Sequence, residues 1–208
     1  GKTRGIMFEE IQKEINQGKN FYFIDNKEEY YNRFQEELEK QGYKTYLVNL
    51  NDPAQSNGLN ILRYPYMLYR ENNIEASVEL VESLCNSICQ SSSLIDSFWE
   101  NSSSDFLTSL ILILFKEANP EEINLYSVAN LLNFIDIGGT ESIEKLRKYL
   151  MDLDAMDPIY RLASSTIFAP IDTRGGILST LKTVLGSYLG RPQTMEVLST
   201  DELEISNL

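Results

Sequence analysis

The sequence contains no histidine, and this absence excludes several kinds of active site. Without an imidazole the chain can form no histidine-based catalytic triad, lacks the commonest general base and is poorly suited to bind zinc. Its only cysteines, Cys85 and Cys89, are four residues apart on a predicted helix. This spacing favours neither a disulfide nor a complete metal site, so we interpret both as buried free thiols in a reducing cytoplasm.

Basic residues and long apolar runs are also scarce. Eighteen lysines and arginines stand against 31 acids, which gives a formal net charge of −13. Because affinity for a nucleic-acid backbone comes from Lys and Arg, the bulk surface is unsuited to DNA. The longest apolar run, at residues 107–115, is shorter than the roughly 20 residues that span a bilayer. No signal-peptide pattern is visible either, so we expect this chain to be soluble and cytoplasmic.

Hydrophobic residues make up 42% of the 208 residues, enough for a substantial core. Near the start, apolar residues at helical spacing predict one helix, and residues 27–40 predict a second, which Gly42 ends. The runs at 21–25 and 43–50 predict buried strands. Helices and strands in alternation favour parallel strands, and therefore an α/β layer.

After a loop-like stretch at 51–73, the pattern is wholly helical from residue 74 to 165. A strongly apolar helix at 102–118 is expected at the centre of this region. Three of its residues are predicted to be buried there: Leu110, Leu114 and Phe115.

The helical region also carries most of the negative charge. Residues 70–165 hold 16 acids and six bases, and such a surface suits a protein partner better than DNA. The alternative is that the acids only keep the domain soluble. The candidate partner contacts are acids that flank predicted helix ends: Glu121, Glu122, Asp152 and Asp154.

The chain begins with Gly1, Lys2 and Thr3, which match the last three positions of the phosphate-binding motif G-x-x-x-x-G-K-[ST]. In that motif the Lys reaches the β- and γ-phosphates, and the hydroxyl binds Mg²⁺. Asp25 would follow a strand, at the sheet edge where sites of α/β proteins form. These four residues are therefore the predicted nucleotide-binding residues. The alternatives are a chance match at the terminus and, for Asp25, a role as a helix cap.

Several other short segments follow this motif in order. They are 25–29 (Asp-Asn-Lys-Glu-Glu), 60–62 (Asn-Ile-Leu), Phe98-Trp99 before the apolar helix, 173–180 (Thr-Arg-Gly-Gly-Ile-Leu-Ser-Thr) and the acidic 201–208. Together they resemble the type IV secretion and conjugation coupling proteins, the TraG/TraD-like ATPases. The resemblance spans nearly the whole chain. It departs at Asn26 and Glu28, where the family has Pro and Gly.

This resemblance implies an α/β fold class. The chain would hold part of a RecA-like P-loop NTPase domain, residues 1–73 and 166–208, with an inserted all-α substrate-receiving domain at 74–165. The protein would be mostly helical overall. ATP and Mg²⁺ are implied as cofactors of the intact protein, with Thr3 as the Mg²⁺ ligand, and no nucleotide is expected to bind tightly here. The first half of the P-loop and the Walker B acids are missing, so we expect no ATP turnover by this chain alone.

The resemblance also implies partners. These are a relaxase, other relaxosome proteins or secretion substrate proteins, with DNA handled by the intact hexamer. The parent would be anchored at the cytoplasmic face of the membrane through a region absent here. Arg174 would reach a neighbouring subunit's nucleotide, as ring ATPases supply Arg in trans, or it is an ordinary surface residue. Phe98 and Trp99 are read as core anchors or as partner contacts.

Two alternatives to this function remain open. One is another ring motor, either a secretion-assembly ATPase or a septal DNA translocase. The other is a helical protein-interaction module without nucleotide chemistry, in which the terminal Gly-Lys-Thr is incidental.

Overall fold

The computed structural model describes residues 2–90 and 97–203, and the side chains in these ranges except those of residues 2–4 and 189. Within these ranges every regular element is a helix. Two are 3₁₀ helices, Pro53–Gln55 and Pro120–Glu122. The α-helices are α1 (Lys2–Asn16), α2 (Glu29–Lys40), α3 (Arg63–Arg70), α4 (Ile74–Cys89), α5 (Ser97–Glu117), α6 (Leu125–Ile137), α7 (Gly139–Met151), α8 (Pro158–Ile167), α9 (Ile171–Leu189) and α10 (Pro192–Ser199).

The predicted α/β class and RecA-like fold are wrong, because no strand occurs among the described residues. The runs at 21–25 and 43–50, predicted as strands, have no regular secondary structure. Phe21 and Phe23 pack against a small helical cluster, whereas Tyr22 and Ile24 are 87% and 72% exposed. A strand of a parallel sheet is covered on both faces. Here buried and exposed side chains alternate because the loop at 21–25 packs only one of its sides against helices.

Contacts divide the chain into two compact units, with the boundary between Leu47 and Val48. In the first unit, α1 and α2 form a small core whose buried members are Ile11, Ile15, Phe34 and Leu38. Aromatic side chains surround this core, and Phe8 meets the Phe34 ring edge-on at 5.8 Å. The small unit therefore combines a largely aliphatic buried core with a partly buried aromatic surround.

The second unit is a helical assembly around α5, against which α4, α8 and α9 pack. Leu110 and Phe115 are buried as predicted, whereas Leu114 is only partly buried at the edge of the core. Cys85 and Cys89 are buried free thiols, as predicted, and their location in a reducing cytoplasm stays a prediction. The part of α5 from Phe106 to Leu112 is buried on every side, as expected of a helix in a protein interior.

One helix of this unit, α3, differs from the expectation for its segment. The stretch 51–73 was predicted as loop, yet α3 forms there despite Pro65. Pro65 lies in the first turn of α3, where a backbone N–H would have no helical acceptor in any case. Helices α9 and α10 pack with α5 and α6 in this same unit. The predicted domain boundaries at 73/74 and 165/166 stay a prediction.

The first and last segments of the second unit are bound to each other. The backbone N–H groups of Glu202 and Leu203 donate to the Gly58 carbonyl at 3.1 and 3.3 Å, and the Gly58 N–H donates to Glu202 Oε2 at 3.1 Å. A Cβ at position 58 would lie 2.2 Å from Thr200 Oγ1, so only glycine permits this approach. An ion pair of 3.3 Å joins Arg63 to Asp201.

Candidate partner-binding surface

The terminal Gly-Lys-Thr opens a helix, because α1 begins at Lys2. Gly1 lies outside the described residues, and so do the side chains of Lys2 and Thr3. Their predicted contacts with phosphate and Mg²⁺ therefore stay predictions.

Asp25 caps the amino terminus of α2. Its Oδ1 accepts from the N–H of Glu29 at 3.1 Å, and its Oδ2 accepts from those of Tyr30 and Tyr31 at 2.8 and 2.9 Å. The first N–H groups of a helix have no acceptor within the helix, and a carboxylate there also interacts favourably with the helix dipole. The geometry is that of the helix-cap alternative, and a nucleotide-binding role for Asp25 stays a prediction.

Arg174 stabilises the turn between α8 and α9. Its Nη1 donates to the carbonyls of Ile167 and Ala169 at 3.3 and 3.1 Å. Arg147 also donates to the Ile167 carbonyl, from Nε at 3.4 Å and from Nη2 at 3.3 Å. Two guanidinium groups thus meet the unpaired carbonyls at the carboxyl end of α8, where the helix dipole favours positive charge. A role of Arg174 toward a neighbouring subunit stays a prediction.

Trp99 and the segment around Gly176 come together in the fold. The Trp99 ring packs directly on α9, so a Cβ at Gly176 would lie 2.5 Å from Trp99 Cζ3. Trp99 is partly buried against the core, whereas Phe98 is 51% exposed and meets the indole edge-on at 5.1 Å. Trp99 is therefore a core anchor. The sequence signal for this contact was present in the two segments, but their spacing of 77 residues hid the pairing.

All four candidate contact acids are exposed, and three of them lie at helix ends, whereas Asp154 lies in the loop between α7 and α8. Glu122 also completes a capping box, because its Oε2 accepts from the Asn119 N–H at 3.0 Å and from its Nδ2 at 2.9 Å. Asp154 Oδ1 accepts from the Met156 N–H at 2.7 Å. These local bonds leave the carboxylates accessible to solvent, and their role toward a partner stays a prediction. The other two are Glu121, in the 3₁₀ helix Pro120–Glu122, and Asp152, just after α7.

Some of the few basic side chains in the helical region form ion pairs within the fold. Of the six bases between residues 70 and 165, three pair with acids of the same region. These pairs are Lys116 with Asp157 at 3.0 Å, Lys145 with Glu141 at 2.6 Å and Arg147 with Glu144 at 2.7 Å. Each pair removes one acid as well as one base, so the excess of ten acids over bases in this region persists.

The sequence did not lead us to identify α6 as a candidate interaction surface. Its 13 residues include one charged residue, Asp136. Tyr126, Phe134 and Ile137 of this helix are 59%, 57% and 84% exposed. A short run with a single charge, just after the acidic turn at 120–122, was the signal that could have identified it.

The length and apolar character of the helices bear on whether any of them could cross a membrane. Among the helices formed by residues 2–90 and 97–203, none combines the length and apolar character needed to cross a bilayer.

The whole chain, residues 1–208, matches the family described as type IV secretory system conjugative DNA transfer. The protein therefore belongs to this family, as the order of its short motifs indicated. It is a type IV secretion protein of conjugative DNA transfer. No curated protein and no solved structure gave a match.

Proposed function

We propose that this protein recruits the protein-bound DNA substrate of conjugation by contacting protein, namely a relaxase or its relaxosome partners, and not bare DNA. The observation that carries the proposal is the distribution of charge. The excess acid lies on a helical unit whose candidate contact residues are exposed, three of them at helix ends. Phosphate backbones are repelled by such a surface, whereas basic proteins that process DNA are attracted.

Coupling of transfer to ATP hydrolysis belongs to the same proposal. In the intact protein, a hexamer held at the cytoplasmic face of the membrane, Lys2 would contact the γ-phosphate and Thr3 would bind Mg²⁺. The support is the Gly-Lys-Thr sequence together with a helix that begins at Lys2. A helix amino terminus is suited to phosphate because its N–H groups and dipole favour negative charge.

A second candidate is a helical interaction module without nucleotide chemistry. It is favoured by one observation: the described residues form helices only, with no sheet edge to carry a nucleotide. Nucleotide binding by a version of the protein extended at both ends would discriminate the two. Mg²⁺–ATP binding that is lost in Lys2→Ala supports coupling, and absence of binding supports the module. This chain alone is expected to show no ATP turnover above background, and turnover that depends on Lys2 would contradict that expectation.

The recruitment proposal is tested by an equilibrium binding assay with the cognate relaxase, its accessory proteins and naked single- and double-stranded DNA. We expect binding to at least one of the proteins and none to DNA. A charge-reversed variant, Glu121→Lys with Asp152→Lys, should bind its protein partner more weakly. Tight binding to bare DNA without affinity for any processing protein would overturn the proposal.

A further inference from the structure

The outward side of α6 exposes two aromatic rings and one isoleucine beside uncharged amides, and we call this surface the α6 outer face. It consists of Tyr126, Asn130, Phe134 and Ile137, all exposed. Their spacing of four, four and three residues places them along one side of an α-helix. The opposite side carries the buried residues Leu125, Val128, Ala129, Leu132 and Ile135.

This face lacks the charges that normally cover an exposed helix. The chain as a whole has 24% charged residues, but the single charge of α6 is Asp136, which pairs with Lys182 at 2.5 Å. The other polar residues of α6, Ser127, Asn130 and Asn133, carry no charge. The amino terminus of α6 is well defined, since Asn124 Oδ1 accepts from the Ser127 N–H at 3.0 Å, so the exposed face lies on an ordered, capped helix.

Charge indicates what kind of partner covers the face. Acids lie at both ends of α6: Glu121 and Glu122 just before it, and Glu141, which pairs with Lys145, in the first turn of α7. A second copy of the chain would bring together two molecules of net charge −13, and an anionic bilayer surface would be repelled in the same way. A partner with apolar side chains flanked by Lys or Arg fits both the face and its ends.

We propose that the α6 outer face docks an amphipathic helix of the protein substrate, with apolar anchors on one side and basic residues beside them. The inference rests on the proposed recruitment of protein substrates and specifies where and by what chemistry it occurs. From Tyr126 to Ile137 the face extends roughly 16 Å at 1.5 Å per residue. A partner helix of about three turns therefore covers it, with anchors repeating every three or four residues.

The test compares two triple variants. Tyr126→Gln/Phe134→Gln/Ile137→Gln removes the apolar anchors while keeping good helix formers on α6. The control, Tyr22→Gln/Ile24→Gln/Ile171→Gln, removes three exposed apolar side chains elsewhere, whose exposures are 87%, 72% and 72%. Circular dichroism and urea unfolding establish that both variants fold.

Two probes are titrated into each protein: the cognate relaxase, and a synthetic peptide of about 18 residues, or five helical turns. The peptide carries Leu at helical spacing and Lys on the other positions, and a scrambled peptide of the same composition is its control. We expect the α6 variant to lose about tenfold or more in affinity for relaxase and for the amphipathic peptide. The control variant should bind both as the wild type does, and the scrambled peptide should bind weakly to all three.

The outcomes separate this inference from the proposed function. If the wild type binds relaxase and the α6 variant binds it equally well, the docking surface is wrong and recruitment stands. If relaxase does not bind but the peptide binds through the α6 face, recruitment of relaxase fails and the surface stands. If the wild type binds neither probe, or binds the scrambled peptide as tightly, the inference is overturned.

Discussion

At the scale of single residues, Gly176 sets how closely α5 and α9 approach. A Cβ at this position would lie 2.5 Å from Cζ3 and 2.7 Å from Cη2 of the Trp99 ring. We expect Gly176→Ala to lower the free energy of unfolding by about 1–3 kcal/mol, because the indole must shift within a packed core. Urea unfolding followed by the fluorescence of Trp99, the only tryptophan, measures this directly.

Gly175→Ala is the matched control, since nothing lies within 4 Å of a Cβ at Gly175. In a helix interior that substitution is expected to raise stability by about 0.5–1 kcal/mol. Equal effects of the two substitutions would mean that the Trp99 contact does not constrain Gly176.

The two thiols are a second feature of residue scale. Burial raises the pKa of Cys85 and of Cys89 from 9.0 to about 12. Because the thiolate is the reactive form, we expect a thiol reagent at pH 8 to label neither cysteine in the folded protein and both in urea. The unfolded thiols release protons at lower pH than the folded ones, so this contribution to stability is full below pH 9 and declines between pH 9 and 12. Rapid labelling of the native protein would contradict the burial.

At the scale of elements, α5 is the helix on which the second unit is built. Leu110 is fully buried on α5, whereas Leu114 lies at the edge of the core. We expect Leu110→Ala to cost about 2–5 kcal/mol by lost transfer free energy and cavity formation. Leu114→Ala should cost clearly less, because part of its side chain already contacts water. Thermal or urea unfolding of both variants checks the order, and the reverse order would contradict the placement of α5.

Helices were the elements that sequence reasoning predicted well, because apolar spacing and caps are local signals. The start of α8 carries such a local signal, because Asp157 precedes Pro158 and its Oδ1 accepts from the Ile159 N–H at 2.9 Å. The strand predictions were wrong because a strand depends on a partner strand, often distant in sequence, for its hydrogen bonds, and the run itself does not show whether such a partner exists. The run at 21–25 has aromatic side chains typical of strands, yet it packs one side on α1 and α2.

The candidate site was predicted in part. Acids at helix ends could be read from the sequence, since Asn119-Pro120 and Asp157-Pro158 mark helix starts. The helix-cap role of Asp25 was one of the two alternatives that the sequence offered. The role of Arg174 could not be read, because which backbone carbonyls it reaches depends on the geometry of the turn between α8 and α9. The α6 outer face was missed because exposure is a property of the packed structure.

At the scale of the whole molecule, residues 48–203 form a compact unit whose two ends bind each other. We expect a protein of residues 48–203 alone to fold and to unfold in one cooperative transition. The Glu202 carboxylate contributes to closing the unit, since the Asn57 amide and the Gly58 N–H lower its pKa below 4.5. That contribution is therefore present above pH 4.5 and is lost as the pH falls through the lowered pKa. Loss of cooperativity in the isolated unit would contradict its autonomy.

The charge of the whole molecule leads to the measurement that tests the central claim most directly. Association of this protein with its cognate relaxase should be measured by stopped-flow or surface-based kinetics, beside naked DNA, at about 50 mM and about 500 mM salt. Recruitment through an acidic surface predicts that the relaxase associates rapidly at low salt and more slowly at high salt, with a smaller change in dissociation. No association with naked DNA is expected at either salt concentration. Tight association with naked DNA, together with no measurable association with relaxase, would contradict the account.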